Sequence, residues 1–305
     1  AVEVAEPARI IADGAQGGGA VHLGGGMQGQ DTSMRNATTL HVAEGAEISA
    51  SATQSGDGGE VILWSDDLTY SRGGISVRGA GATGKGGIAE VSGKHHLDFD
   101  GVADVRGVDS GINGTLLLDP GFLIVQNTAS GVDTIGISTI NSQLALGNVV
   151  LQNSGASQSS GIQWNATSTL SGLNSSSLTL NAVGTGAAIN VTAAPAFGTW
   201  AGAFNLNAAG GITIGSSISR TSGAINMTAG AGQVIALNGA TVSTSGAVSF
   251  NSNVTLGANT TVSAGAGAVT FGGTVTGSGG NRNLTVNTTG ATTFAGSLSS
   301  IGVLS

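Results

Sequence analysis

The chain has 305 residues, 54 glycines, three prolines, no cysteine and a formal net charge of −8. Nine basic residues without a cluster exclude a nucleic-acid footprint, the absence of cysteine excludes a disulfide framework or a thiolate metal site, and no apolar run is long enough to span a membrane as a helix. With 40% hydrophobic and 9% charged residues, a disordered chain is not expected. Abundant Val, Ile and Thr beside scarce Lys, Glu and Gln point instead to an all-β fold with Gly- and Asn-rich turns.

The first recognisable element is GGGAVHLGG, beginning at Gly17 and followed by an insertion. Three longer segments then align with one another: TTLHVAEGAEISASATQSGDGGEVILWS, DDLTYSRGGISVRGAGATGKGGIAEVSG and KHHLDFDGVADVRGVDSGINGTLLLDPG. Leucines 40, 68 and 97 anchor their starts, and Gly59, Gly87 and Gly114 anchor their last strands, so the period is about 28 residues. Each unit holds three short alternating runs. Three strands in so short a repeat fit one coil of a parallel β-helix, each strand pairing with its equivalent in the next coil.

Alternation assigns the faces. Counting from the anchoring glycine, Val21 and Leu23, Val61 and Leu63, Ala89 and Val91, and Leu116 and Leu118 point inward. The residues between them, His22, Ile62, Glu90 and Leu117, point outward, and Leu117 is a possible surface contact. In KHHLDFD the same rule puts His96, Asp98 and Asp100 on one face and Leu97 and Phe99 on the other, with His95 inward at the start of the strand. A histidine and two carboxylates in line are a candidate divalent-cation site. The competing reading is a solvated outer face, with no metal, cofactor or catalytic residue. Asp98 and Asp100, about 7 Å apart on a strand, also match a glycosidase carboxylate pair, but no second acid cluster accompanies them. Arg78 and Arg106 occupy equivalent turns and either contact an anionic glycan or pair with Asp104.

At Pro120 the composition changes: of the charged residues only Asp133, Arg220 and Arg282 lie beyond it. Residues 1–120 therefore read as regular, charged coils and 121–305 as shorter, nearly uncharged ones. In the second part the runs SLTL, AFNL, AINM, AVSF and AVTF end at Leu180, Leu206, Met227, Phe250 and Phe271. About a dozen coils of roughly 20–28 residues, stacked at the strand spacing, make a rod about 60 Å long. Neither end carries a cap, so the chain is expected to be a slice of a longer solenoid. Trp164 and Trp200 are the candidate exposed aromatics for sugar, with packing in the core or a turn as the competing reading. Sequons occur at Asn36, Asn113, Asn165, Asn174, Asn190, Asn226, Asn253, Asn259, Asn283 and Asn287, either as glycan acceptors or as turn residues that satisfy backbone groups.

The ordered motifs GGEVILWSDDLTYSRGGISVRG, GGIAEVSGK and NGTLLLDP resemble the repeat region of filamentous-haemagglutinin-like exoproteins, adhesins exported by two-partner secretion in Gram-negative bacteria. The resemblance covers about residues 17–120. It implies a right-handed parallel β-helix, an extracellular or cell-surface location, and a role in attachment or biofilm. The implied partners are host-cell or matrix glycans and proteins. The family's secretion domain has no counterpart here, so the outer-membrane transporter is an expected partner of the parent protein. The resulting expectation is a non-enzymatic rod segment of an adhesin. Its alternatives are a filament subunit that self-associates end to end and a carbohydrate-active β-helix.

Overall fold

In a computed structural model of the chain, which describes residues 1–109, 112–153, 161–171, 175–239 and 241–305, strand follows strand in a repeating three-face cycle. The ladders described between strands of successive coils are parallel, and sheets reach eleven strands. The fold is a parallel β-helix. It divides into two compact units: residues 1–123, 128–155 and 174–178 form the first, and 124–127, 156–173 and 179–305 the second. The change of composition at Pro120 thus falls inside the first unit.

The first unit contains strands β1 (Val2–Val4), β2 (Arg9–Ile11), β3 (Ala20–Leu23), β4 (Thr39–Val42), β5 (Glu47–Ser49), β6 (Glu60–Ser65), β7 (Leu68–Ser71), β8 (Gly74–Ser76), β9 (Ile88–Gly93), β10 (His96–Phe99), β11 (Val102–Asp104) and β12 (Thr115–Asp119). They form three faces, ordered β1-β4-β7-β10, β11-β8-β5-β2 and β3-β6-β9-β12. On the third face Val21, Val61, Ala89 and Leu116 share one register column, and Leu23, Leu63, Val91 and Leu118 another. All but Leu23 are buried, as alternation requires. Gly59, Gly87 and Gly114 mark equivalent corners because a Cβ on any of them would overlap the carbonyl oxygen of the preceding coil's glycine. The repeat of glycine therefore records how closely coil lies on coil.

One anchor differs from expectation. Leu40 and Leu97 both pair with Thr69, not with Leu68. Thr69 is the fully buried residue, and its hydroxyl donates to the Ser92 carbonyl at 2.7 Å. A slip of one residue exchanges the faces of a strand, and here it turns Tyr70 outward. The other departure from an all-strand expectation is a helix, α1 (Ile137–Leu144), whose Ile137, Ile140 and Leu144 are buried at helical spacing. It packs against β11, the last strand of its sheet. The Gln143 side chain serves that edge directly: its Oε1 accepts the Ala103 N–H at 3.0 Å and its Nε2 donates to the Gly101 carbonyl at 3.2 Å.

In the second unit one inward column of the core becomes aromatic. Phe204–Ala208, Ile225–Ala229, Val248–Phe250, Val269–Phe271 and Thr292–Phe294 pair in sequence, aligning Leu206, Met227, Phe250, Phe271 and Phe294. Phe250, Phe271 and Phe294 stack ring on ring at 5.0 and 4.8 Å. The outward positions are small and polar and bond along the ladder: Asn226 Nδ2 donates to Asn205 Oδ1 at 2.8 Å, and Asn205 Nδ2 to Thr179 Oγ1 at 3.2 Å.

Candidate functional site

The chemically distinctive residues gather on the outer faces of the first unit. On the β1-β4-β7-β10 face, Glu3, His41, Tyr70 and Asp98 share an outward column. The His41 and Tyr70 rings stack at 4.7 Å with an interplanar angle of 5°. The Arg72 guanidinium lies 4.5 Å from the Tyr70 centroid and ion-pairs with Asp98 at 2.7 Å. Tyr70 is thereby held by a ring and a cation.

His96, Asp98 and Asp100 do face outward together, as alternation requires, but each has its own partner. His96 Nδ1 bonds Asp133 Oδ2 at 2.7 Å, Asp98 accepts from Arg72, and Asp100 Oδ1 accepts from the Thr139 hydroxyl at 2.7 Å. Asp133 also takes the Leu97 N–H, at 3.1 Å, so it was brought to this strand from a distant segment that alternation does not reach. Among the described residues, no group of three or more His, Cys, Asp or Glu side chains is placed to hold a metal ion. His95, expected inward, is exposed. It precedes the strand and is not bound by its alternation.

The β11-β8-β5-β2 face carries a groove whose lining is part apolar, at Ile11, and part polar. Small residues at Ser49, Gly74 and Ser76 leave a depression of about 360 Å³, which adjoins a second of about 380 Å³ reaching Ser51 and Arg78. Asp13 anchors its rim, accepting from the Ser49 hydroxyl and, at 2.7 Å, from the Ser51 N–H. Arg106 grips Asp104 through two bonds of 2.9 and 2.6 Å, which raise the pKa of its guanidinium, and Arg78 approaches the same carboxylate at 3.6 Å. The equivalent arginines therefore form a pair on one acid, and the groove offers hydroxyls and neutralised charge.

The β3-β6-β9-β12 face differs most from the sequence reading. Ile62 and Glu90 point away from the core yet are fully buried, and Leu117 is half-buried. The cause is the insertion after β3: its 3-10 turn Met27–Gly29 lies over β6. The Gln28 N–H meets both Glu90 carboxylate oxygens at 3.1 Å. Burial pushes the Glu90 pKa from its ordinary 4.5 up to about 7, against the lowering influence of Ser92 and the Gln28 N–H and helped by Asp119 and Glu60. A raised carboxyl pKa means that the folded state holds the proton more tightly. Its contribution to stability is complete below pH 4.5 and is lost as pH rises through 7. At 1.36 kcal/mol per pKa unit, urea titrations of the wild type are expected to lose about 3 kcal/mol between pH 4.5 and 8. Glu90→Gln should flatten that slope, and an unchanged slope in the variant would assign it to another group.

Trp164 and Trp200, the candidate sugar contacts, take the competing core position and are fully buried in the second unit. The strand Ile162–Trp164 alternates, so Trp164 shares the inward face with Ile162, and its indole N–H donates to the Ala166 carbonyl at 2.9 Å. Its ring meets Phe204 edge-on at 5.8 Å. Trp200 packs against Phe197 at 6.2 Å between ring centroids, and the Arg220 guanidinium lies over both rings. Neither is available to a sugar. Several sequon asparagines are likewise engaged: the Nδ2 of Asn36 donates to Gly29 and Asp66, that of Asn113 to Ser176, and that of Asn226 to Asn205. Asn174 lies outside the described residues. Among the described residues no helix is long and apolar enough to cross a membrane.

Compared with known protein-family models and with curated proteins, the chain matches none.

Proposed function

We propose that this chain is a non-enzymatic structural segment of a secreted, surface-exposed adhesin, in which stacked coils extend or present contact surfaces toward host cells or matrix. The observation that carries the reading is the coincidence of three ordered motifs with three consecutive coils. GGEVILWS, GGIAEVSG and NGTLLLDP supply β6, β9 and β12, adjacent strands of a single ladder. Repeats that differ outside and agree inside are what a load-bearing solenoid needs, because neighbouring coils share one core.

The outward side chains fit the same role. His96, Asp98 and Asp100 are committed to Asp133, Arg72 and Thr139, which fastens the surface of the unit. The hydroxyls of the groove and the amide and hydroxyl ladders of the second unit offer many weak hydrogen-bonding positions, the arrangement from which multivalent attachment gains avidity.

Antibodies raised against the purified chain are expected to label intact cells of the source organism. Deleting residues 17–120 from the parent protein is expected to reduce attachment to host cells. Labelling only after cell lysis would overturn the reading. So would turnover of a polysaccharide by the purified chain that disappears in Asp98→Asn.

A further inference from the structure

The insertion of residues 24–38 closes on itself and lies on the outer face of the third sheet. The Ala37 N–H bonds the Gly24 carbonyl at 2.7 Å and ties the two feet together. Asn36 Nδ2 reaches across to the Gly29 carbonyl at 3.1 Å and to Asp66 Oδ1 at 3.0 Å. Gly29, at φ +63°, lies so close to the Trp64 indole that a Cβ there would overlap the ring. A cavity of about 250 Å³ remains between the insertion, Trp64, Asp66 and Lys94. The far side, Gln30 to Ser33, is exposed.

What lies beneath is unusual for an outer face. Ile62 and Glu90 have no exposure and Trp64 only 4%. Among the described residues Glu90 forms no ion pair, and the groups around it are arranged against ionisation. Glu60 on β6 and Asp119 on β12 are the acids acting on it. His22 on β3 is taken by Glu60 at 2.6 Å, and Gln152 donates to Asp119 at 2.8 Å. The insertion itself brings only Asp31 and Arg35, both exposed, and Asp66 and Lys94 stand at the cavity beyond Trp64. A protonated Glu90 suits this dry site. An ionised one gains a single backbone N–H and a hydroxyl against two acids, and water can reach it only if the insertion moves.

We propose that residues 24–38 form a proton-operated strap: with Glu90 neutral it lies on β6 and β9, and when Glu90 ionises it lifts and uncovers Ile62 and Trp64. The strap is anchored at its feet and pinned in the middle by Gln28, so it opens without disturbing the inward columns of the coils. Lifting presents an aromatic and an aliphatic side chain beside a carboxylate. The outer face thereby changes from covered and neutral to apolar with a negative edge as pH rises.

The sign follows from linkage. The closed strap holds the Glu90 proton more tightly than the open one, so closure is favoured at acid pH and weakens toward alkaline pH. With the carboxyl shifted from 4.5 to about 7, the closing equilibrium should fall about 30-fold between pH 5.5 and 8.5. Hydrogen exchange followed by mass spectrometry, corrected for intrinsic rates, reads this directly in the wild-type chain. The peptide covering 24–38 should lose about 30-fold in protection over that range, while peptides from β10 and β11 keep theirs. In Glu90→Gln the strap peptide should show constant protection. Flat protection in the wild type would overturn the proposal even if the variant fails to fold, and so would a pH dependence that survives in a folded variant.

Discussion

Arg220→Ala is expected to destabilise the second unit by about 4 kcal/mol, measured by urea unfolding followed through Trp200 fluorescence. Arg220 is only 6% exposed, and its unit contains no acidic residue. The guanidinium instead donates to backbone: Nη1 to the Ala224 carbonyl at 3.1 Å, and Nη2 to those of Trp200 at 3.2 Å and Gly202 at 2.6 Å. Its Cζ lies 4.5 Å from the Trp200 ring centroid and 5.1 Å from that of Phe197.

Burial lowers its pKa to about 10, so it remains a cation at neutral pH. Each hydrogen bond to a charged group contributes about 1.5–3 kcal/mol, offset by the desolvation of an unpaired charge. Truncation also leaves a void between two rings, which adds its own cost. Arg220→Met separates the contributions, since it keeps the stem and loses the bonds; a loss of about 2 kcal/mol is expected. Arg220→Lys should recover little, because an ammonium cannot fork across carbonyls in this geometry. A loss below about 1 kcal/mol for the alanine variant would show that water replaces the guanidinium at no cost.

Gln143→Leu is expected to cost about 3–4 kcal/mol in the first unit, although leucine matches glutamine in bulk and favours helix. The amide satisfies one buried donor on the edge strand β11, the Ala103 N–H, and one buried acceptor just before it, the Gly101 carbonyl. A buried backbone group without a partner costs about 1–3 kcal/mol, and leucine leaves two. Exposed sheet edges also invite pairing with other chains. The variant should therefore show faster exchange at Ala103 and a concentration-dependent increase in light scattering. Unchanged exchange at Ala103 would mean that the helix covers the edge without bonding to it.

Both residues show where sequence reading stops. Gln143 lies in a Ser- and Asn-rich stretch where the spacing of Ile137, Ile140 and Leu144 is a helical signal, but short strands surround it and the period-2 pattern dominates. Arg220 is one of two basic residues in a neutral region, and nothing local marks it as buried. Trp200 gave no local sign either, because its partners Phe197 and Arg220 pack around an irregular loop. Trp164 could have been placed: Ile162, Gln163 and Trp164 alternate, and the rule that puts Ile162 inside puts Trp164 there too. At Leu68 the repeat spacing was right to within one residue. In a strand that is enough to put the wrong side chain inside.

By itself the sequence determined the all-β class, the coil length, the third-face columns running from Val21 to Leu118, and the outward line of His96, Asp98 and Asp100. These follow from period-2 alternation and from glycines that recur where coil meets coil, both of which are local. Only the tertiary structure decided which outward positions are dry. Ile62 and Glu90 are covered by an insertion that leaves the chain some 30 to 60 residues earlier, and β11 is closed by a helix some 40 residues later. Alternation states which side of a sheet a residue takes. Whether water reaches that side depends on what else the chain lays across it.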